Sequence, residues 1–179
     1  WTSEHVARFW EYWASRPDRH STYFSFQVGK GVCRFLDFAA PLAGQRVLDF
    51  GAGPGYLSEL LLGRGAKTSA VEFSQPVVDD LNDRFAHDSG WQGARALDGD
   101  RLPWPDNTFD AVVCLETVEH LLDEHLDLVL TELHRVTRIG GTVLITTPNS
   151  EDLRNQTVFC PNCCSEFHRW QHVRNWSPE

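Results

Sequence analysis

Val47-Leu48-Asp49-Phe50-Gly51-Ala52-Gly53-Pro54-Gly55 is the stretch on which the fold turns. The apolar run from Arg46 to Phe50 stops in alternating glycines. Leu57, Leu60 and Leu61 follow at helical spacing, so the stretch reads as a short buried strand turning into a helix. Glycines at such a turn let the backbone bend sharply and approach a ligand beside the free N–H groups of a helix N-terminus. A tight strand-to-helix turn with no ligand uses the same residues, so the G-x-G-x-G order alone does not name what binds.

The alternation continues on both sides. Thr68 to Glu72 reads as a second strand, and Pro76 starts a helix carrying Val77, Val78, Leu81 and Phe85. Ala94 to Leu97 is a third strand, and a loop at Pro103-Trp104-Pro105-Asp106-Asn107 leads to a fourth at Phe109 to Leu115. Leu126, Val129, Leu130, Leu133 and Val136 mark a helix, with Gly140-Gly141 expected to close it. Thr142 to Thr147 is a fifth strand, stopped by Pro148. Ahead of the first strand, residues 2–40 read as a helix in two pieces, broken near Arg16-Pro17-Asp18. Strands alternating with helices predict a doubly wound α/β fold with a mostly parallel sheet. The expected organisation is an N-terminal helical segment over 1–44, an α/β core over 45–149 and a Cys/His-containing segment over 150–179.

The 179 residues are 41% hydrophobic and carry a net charge of −9, enough apolar content for a packed core. No apolar run approaches the roughly 20 residues that span a bilayer, which excludes a helical membrane protein. The acidic balance argues against nucleic acid as a partner, because phosphate binding calls for a basic stripe. Five cysteines are an odd count: Cys33 and Cys114 sit in apolar segments, and Cys160, Cys163 and Cys164 cluster. That is no disulfide framework, and a reducing cytoplasm is the expected location. Without a single Met, the chain is expected to be a fragment of a longer one.

Two carboxylates and a further strand end fall where a nucleoside would be held. Glu72 ends the second strand, where a carboxylate accepts both ribose hydroxyls, and Asp98 follows the third, within reach of an adenine amino group. Val112-Val113-Cys114-Leu115-Glu116 ends the fourth on the same carboxyl edge.

Taken in order, VLDFGAGPG, VEFS, ALDGDRLPWPDNTFD, VVCLETVEHL and GGTVLITTPN resemble the class I S-adenosylmethionine-dependent methyltransferases over residues 45–149. The resemblance implies that Asp49, Gly51, Ala52 and Gly53 border the methionine part of S-adenosylmethionine, and that Gly55 opens the helix. Glu72 would take the ribose, Phe73 would lie along the adenine, Asp98 and Gly99 would meet its edge, and Cys114 completes the set. A nicotinamide-dependent dehydrogenase competes, but its G-x-G-x-x-G differs from the G-x-G-x-G here. Such methyltransferases finish with two more strands, one antiparallel. The sheet is therefore expected to lack them, and Ser177-Pro178-Glu179 reads as the first turn of a further helix.

Glu116, Glu119 and His120 stand at i, i+3 and i+4, on one face if a helix begins after the fourth strand. Two carboxylates and an imidazole suit Zn, Mg or Mn, and a divalent ion would orient and acidify a hydroxyl acceptor. With no metal, His120 would serve as general base and the carboxylates as acceptors or caps. The T-T-P-N strand end and the later His172 make the set similar to metal-dependent RNA 2′-O-methyltransferases, which implies Glu116, Glu119, His120 and His172 as ligands. A related E-x-x-E-H occurs in ubiquinone-pathway O-methyltransferases. The alternative metal site is a zinc knuckle of Cys160 and Cys163 with His168, competing for His172.

Trp1, Trp10, Tyr12, Trp13, Tyr23, Phe24 and Phe26 crowd the N-terminal segment, either as packing or as part of an acceptor pocket. Arg169, Trp170 and Arg174 form either a site for an anionic acceptor or a solvated rim. The expectation is an S-adenosylmethionine-dependent O-methyltransferase of a small-molecule or carbohydrate-like acceptor. RNA 3′-end 2′-O-methylation is the alternative reaction, and a non-catalytic scaffold on the same fold is the alternative class.

Overall fold

The computed structural model describes residues 1–97 and 101–178. Helix α1 (Ser3–Ala14) and helix α2 (Phe24–Ala39) are separated by a 3₁₀ turn over Pro17–Thr22, at the expected break. The core then alternates: β1 (Arg46–Phe50), α3 (Tyr56–Leu62), β2 (Lys67–Glu72), α4 (Gln75–Phe85) and β3 (Trp91–Ala96). After the loop come β4 (Phe109–Leu115), α5 (Asp123–Val136) and β5 (Thr137–Thr146). A hairpin of β6 (Thr157–Phe159) and β7 (Glu166–His168) follows.

The sheet is parallel, with strand order β3-β2-β1-β4-β5. The order reverses between β1 and β4, which opens a crevice at their carboxyl ends. Alternation along the strands divides the core into two layers. Leu48, Phe50, Val112 and Cys114 face α5 through Leu133 and Val136, while Val47, Ala111, Val113 and Leu115 face α2 and α3 through Leu36, Leu57 and Leu61. Asp49 shares the second face and is buried beside α3. No helix among the described residues is long and apolar enough to cross a membrane.

Two boundaries differ from the expectation, each through a glycine. Gly140-Gly141 do not close α5. The helix ends at Val136, where the Thr137 hydroxyl donates to the Leu133 carbonyl at 2.7 Å, and the chain runs directly into β5. The glycines form an irregularity inside that strand, where pairing jumps from Phe109–Thr137 to Ala111–Thr142. Gly140 has φ +72°, and a Cβ on Gly141 would stand 2.8 Å from the Asp110 carbonyl. Likewise β3 starts at Trp91 rather than Ala94, because Gly93 at φ +100° absorbs a register shift against Thr68 and Ser69.

Leu133 is 1% exposed in the α5 layer, whereas Ile139, on the edge strand, is 91% exposed. Leu133→Ala is expected to cost about 2–5 kcal/mol in urea unfolding, and Ile139→Ala about 0.5 kcal/mol or less. Equal losses at the two positions would contradict this account of the core.

Candidate active site

The crevice at the reversal point is a cavity of about 520 Å³. The turn Gly51 to Gly53, Glu72 and Phe73 line one end, Glu119, His120 and His172 the other, and Trp10 and Trp13 of α1 form part of the wall. Its size is that of a small-molecule or cofactor site.

The glycine turn is held by β2. The N–H groups of Gly51 and Ala52 donate to the Val71 carbonyl at 2.9 and 3.1 Å. The Glu72 carboxylate accepts from the Gly53 and Phe73 N–H groups, each at 2.7 Å. Gly51 has φ +73°, and a Cβ there would stand 2.5 Å from the Thr117 hydroxyl, so its glycine serves the approach of the segment after β4. Burial raises Glu72 above the ordinary carboxylate range, against the pull of the N–H groups it caps. Tyr23 closes over the turn, its phenol pushed up to about 12 by burial and by Glu72.

Gly51, Ala52, Gly53, Glu72 and Phe73 line the cavity. Asp98 and Gly99 lie outside the described residues. Asp49, Gly55 and Cys114 stand away from the cavity. Asp49 sits beneath the turn and accepts from the Ser58 hydroxyl at 2.7 Å, because alternation along β1 points it at α3. Gly55 opens α3 as its N-cap, at φ +75°; it does not line the cavity, and a Cβ there would run into Leu81. Cys114 points into the α5 layer of the core, leaving Leu115 and Glu116 to reach the cavity.

The segment after β4 is a turn, not a helix, so Glu116, Glu119 and His120 do not share a helical face. Glu116 adopts φ +46°, its N–H donates to the Thr146 carbonyl at 3.1 Å, and α5 begins only at Asp123. Glu119 is 1% exposed, and its Oε2 accepts from the Thr147 hydroxyl at 3.2 Å. Ligand atoms of Glu119, His120 and His172 lie within 4.8 Å of one another, a spacing suited to one metal ion. Glu116 stands outside that group. Burial pushes Glu119 up to about 8 and His120 down to about 3. Glu119 Oε1 and His120 Nδ1 are buried with no hydrogen-bond partner.

Residues 171–174 complete the site. The Val173 N–H donates to the Glu119 carbonyl at 2.9 Å. Gln171, wholly buried, donates to the His120 carbonyl at 2.8 Å and accepts from the Trp10 indole at 2.9 Å. Arg174 donates to the Val118 carbonyl at 2.7 Å and to Asp123 at 2.6 Å, a structural clasp rather than an anion site. Arg169 lies over Trp170, which packs on Trp13. Sequence reasoning missed Gln171, whose partners are more than a hundred residues away in one case, and Glu151, whose carboxylate meets both His168 and His172.

The cysteine alternative does not assemble. Cys160 and Cys163 hydrogen-bond in the loop between β6 and β7, where bonds from Ser165 lower the Cys163 thiol, and Cys164 adopts φ +56°. His168 pairs with Thr157 at the opposite end of the hairpin, so its ring lies away from the thiols. Among the described residues, no metal-sized group contains a cysteine.

Burial pushes Asp49 up to about 7, so the folded protein holds a proton that the unfolded chain releases near 3.8. The contribution of Asp49 to stability is therefore full below about pH 3.8 and is lost as pH rises through about 7. Asp49→Asn, which cannot ionise, is expected to gain stability relative to wild type between pH 4 and 7 and to hold the gain above it. Urea unfolding at pH 4, 5.5 and 8 checks this, and a pH-independent difference would contradict it.

Ubiquinone biosynthesis O-methyltransferase of Thiobacillus denitrificans is 31% identical over 122 residues, 65% of this chain and 50% of that protein. Demethylmenaquinone methyltransferase of Clavibacter sepedonicus is 35% identical over 106 residues, 59% of this chain and 42% of that protein. The chain thus spans about half the length of the curated relatives it matches. Phosphoethanolamine N-methyltransferase 1 of Haemonchus contortus, solved with phosphoethanolamine and S-adenosylhomocysteine, superposes with a TM-score of 0.68 at 20% identity, over 83% of this chain and 33% of that one. An S-adenosylmethionine-dependent methyltransferase of Mesorhizobium loti gives a TM-score of 0.60 at 15% identity, over 82% and 64%. These likenesses establish the class I methyltransferase fold. The match to the methyltransferase domain family runs from residue 48 to residue 145, more than half of the chain, and the protein belongs to that family.

Proposed function

We propose that the protein is a cytoplasmic S-adenosylmethionine-dependent methyltransferase that methylates a hydroxyl of a small-molecule or carbohydrate-like acceptor with the help of a divalent ion. The observation that carries this reading is the single cavity with the glycine turn and Glu72 at one end and Glu119, His120 and His172 at the other. The residues suit the cofactor. Glu72 accepts from the Gly53 N–H of the turn and the Phe73 N–H after β2 and still lines the cavity, Phe73 offers a half-exposed ring, and the turn sets its backbone against the cavity. Bound there, S-adenosylmethionine supplies the electrophilic methyl group. All five cysteines are free thiols, in keeping with a reducing compartment.

The acidic end suits a cation better than a proton acceptor. His120 is held neutral by burial, with a basicity too low for a general base near neutral pH. Glu119 is buried without a cationic partner, and its Oε1 is unpaired. A divalent ion on Glu119, His120 and His172, with Glu116 beside it, would satisfy both groups and acidify an acceptor hydroxyl. The ubiquinone-pathway relatives, named as O-methyltransferases, support oxygen as the acceptor atom.

Titration calorimetry with S-adenosylhomocysteine tests the cofactor end. Wild type is expected to bind, and Glu72→Ala to weaken binding about 10–100-fold, the worth of charge-assisted hydrogen bonds. A folded wild-type protein that takes no S-adenosylhomocysteine would sink the proposal. Glu119→Gln is expected to keep S-adenosylhomocysteine affinity within about threefold while losing most bound Mn²⁺ by elemental analysis, because the charged ligand is gone. Unchanged metal content would remove the ion from the proposal.

A further inference from the structure

His172 lies between two other imidazoles. Its ring stacks on His168, centroids 4.4 Å apart at 27°, and meets His120 at 4.8 Å. Two ligand groups therefore share it: Glu119 and His120 on the cavity side, Glu151 and His168 behind. Hydrogen bonding decides which set is free to take a cation. The His172 backbone N–H donates to His168 Nδ1 at 3.2 Å, so Nδ1 of that neutral ring carries the lone pair and its proton is on Nε2. His168 Nε2, on a ring 95% buried by its 5% exposure, has no hydrogen-bond partner and stands 3.4 Å from Glu151 Oε1. The other oxygen, Oε2, is 2.5 Å from His172 Nδ1. A carboxylate only accepts, so each oxygen faces an imidazole N–H, and His168 has no lone pair to offer a metal on that side.

We propose that Glu151 is a positioning residue: braced by His168, its carboxylate holds His172 as the Nδ1–H tautomer and leaves the Nε2 lone pair for the ion shared with Glu119 and His120. The proposal rests on the metal reading of the site given above. The arrangement is a carboxylate–histidine–metal relay, in which the outer acceptor sets ring orientation and raises ligand basicity. The chain supplies the brace locally. Glu151 follows β5, where the Ser150 N–H donates to the Trp176 carbonyl at 2.7 Å, and His168 ends β7, so sheet edge and hairpin converge on one ring. Glu151 does not line the cavity, so its effect on chemistry runs through His172.

Two measurements test this, the first needing no variant. In metal-free, ¹⁵N-histidine-labelled protein, two-bond ¹H–¹⁵N correlation is expected to show neutral His172 with its proton on Nδ1. In Glu151→Ala that proton moves to Nε2, the form favoured by an unpaired ring. Mn²⁺ titration followed by electron paramagnetic resonance is expected to give one ion per chain in wild type and an affinity about 10–100-fold lower in Glu151→Ala. Glu151→Gln keeps one acceptor oxygen and falls between the two. S-adenosylhomocysteine affinity stays within about twofold in both variants, which a misfolded protein would not show. Wild-type His172 protonated on Nε2 with Mn²⁺ bound overturns the relay alone. Undiminished Mn²⁺ affinity in Glu151→Ala does the same, as does a second ion per chain on Glu151 and His168. A wild-type protein that takes no Mn²⁺ overturns the metal reading and the relay's purpose together.

Discussion

The contact between the Glu72 carboxylate and the backbone of the glycine turn is the constraint on which the working end of the sheet depends. A parallel pair such as β1 and β2 fixes register up to the last paired residues, Phe50 and Val71, and no further. Beyond that point Glu72 takes over, accepting from Gly53 across the gap and from Phe73 in its own strand. The carboxylate is half-buried at the cavity wall, and its partial desolvation favours a hydroxyl donor from the cavity side. One side chain thereby shapes the turn and creates the demand for a polar ligand.

The opposite end follows a different logic. Glu119, His120 and His172 are brought together by hydrogen bonds to main-chain carbonyls from a segment with little regular structure. Val173 reaches the Glu119 carbonyl and Gln171 reaches that of His120. Positioning through backbone carbonyls leaves the side chains free, and it explains why Glu119 and His120 can be buried with unpaired atoms. The sheet supplies the glycine turn and Glu72, and a stitched loop supplies the histidine cluster.

The alternation of strands and helices, the glycine turn and Glu72 were legible because each is a local pattern: apolar periodicity, a strand stopped by glycines, a carboxylate at a strand end. The E-x-x-E-H stretch misled for the same reason. Its spacing fits a helix, yet Glu116 at φ +46° and the bond to Thr146 bend it into a turn, a tertiary effect with no local signature. Gly140-Gly141 likewise match a helix stop, and only pairing with β4 shows that they belong to a strand. His172 was legible only through the family resemblance that E-x-x-E-H and T-T-P-N carry, whereas Glu151, Gln171 and the true environment of His168 depend on how the hairpin folds back.

The indole of Trp10 and the amide of Gln171 meet across 161 positions of chain and then touch His120 together. Contacts that close such long loops form late, after local elements are in place. During synthesis the glycine turn and Glu72 emerge and can pair well before residue 171 leaves the ribosome. A nascent chain thus acquires its glycine turn first and its histidine cluster last. On the function proposed above, the chemistry would be withheld from incomplete chains, since any chain that ends before Gln171 has the turn and Glu72 but lacks His172.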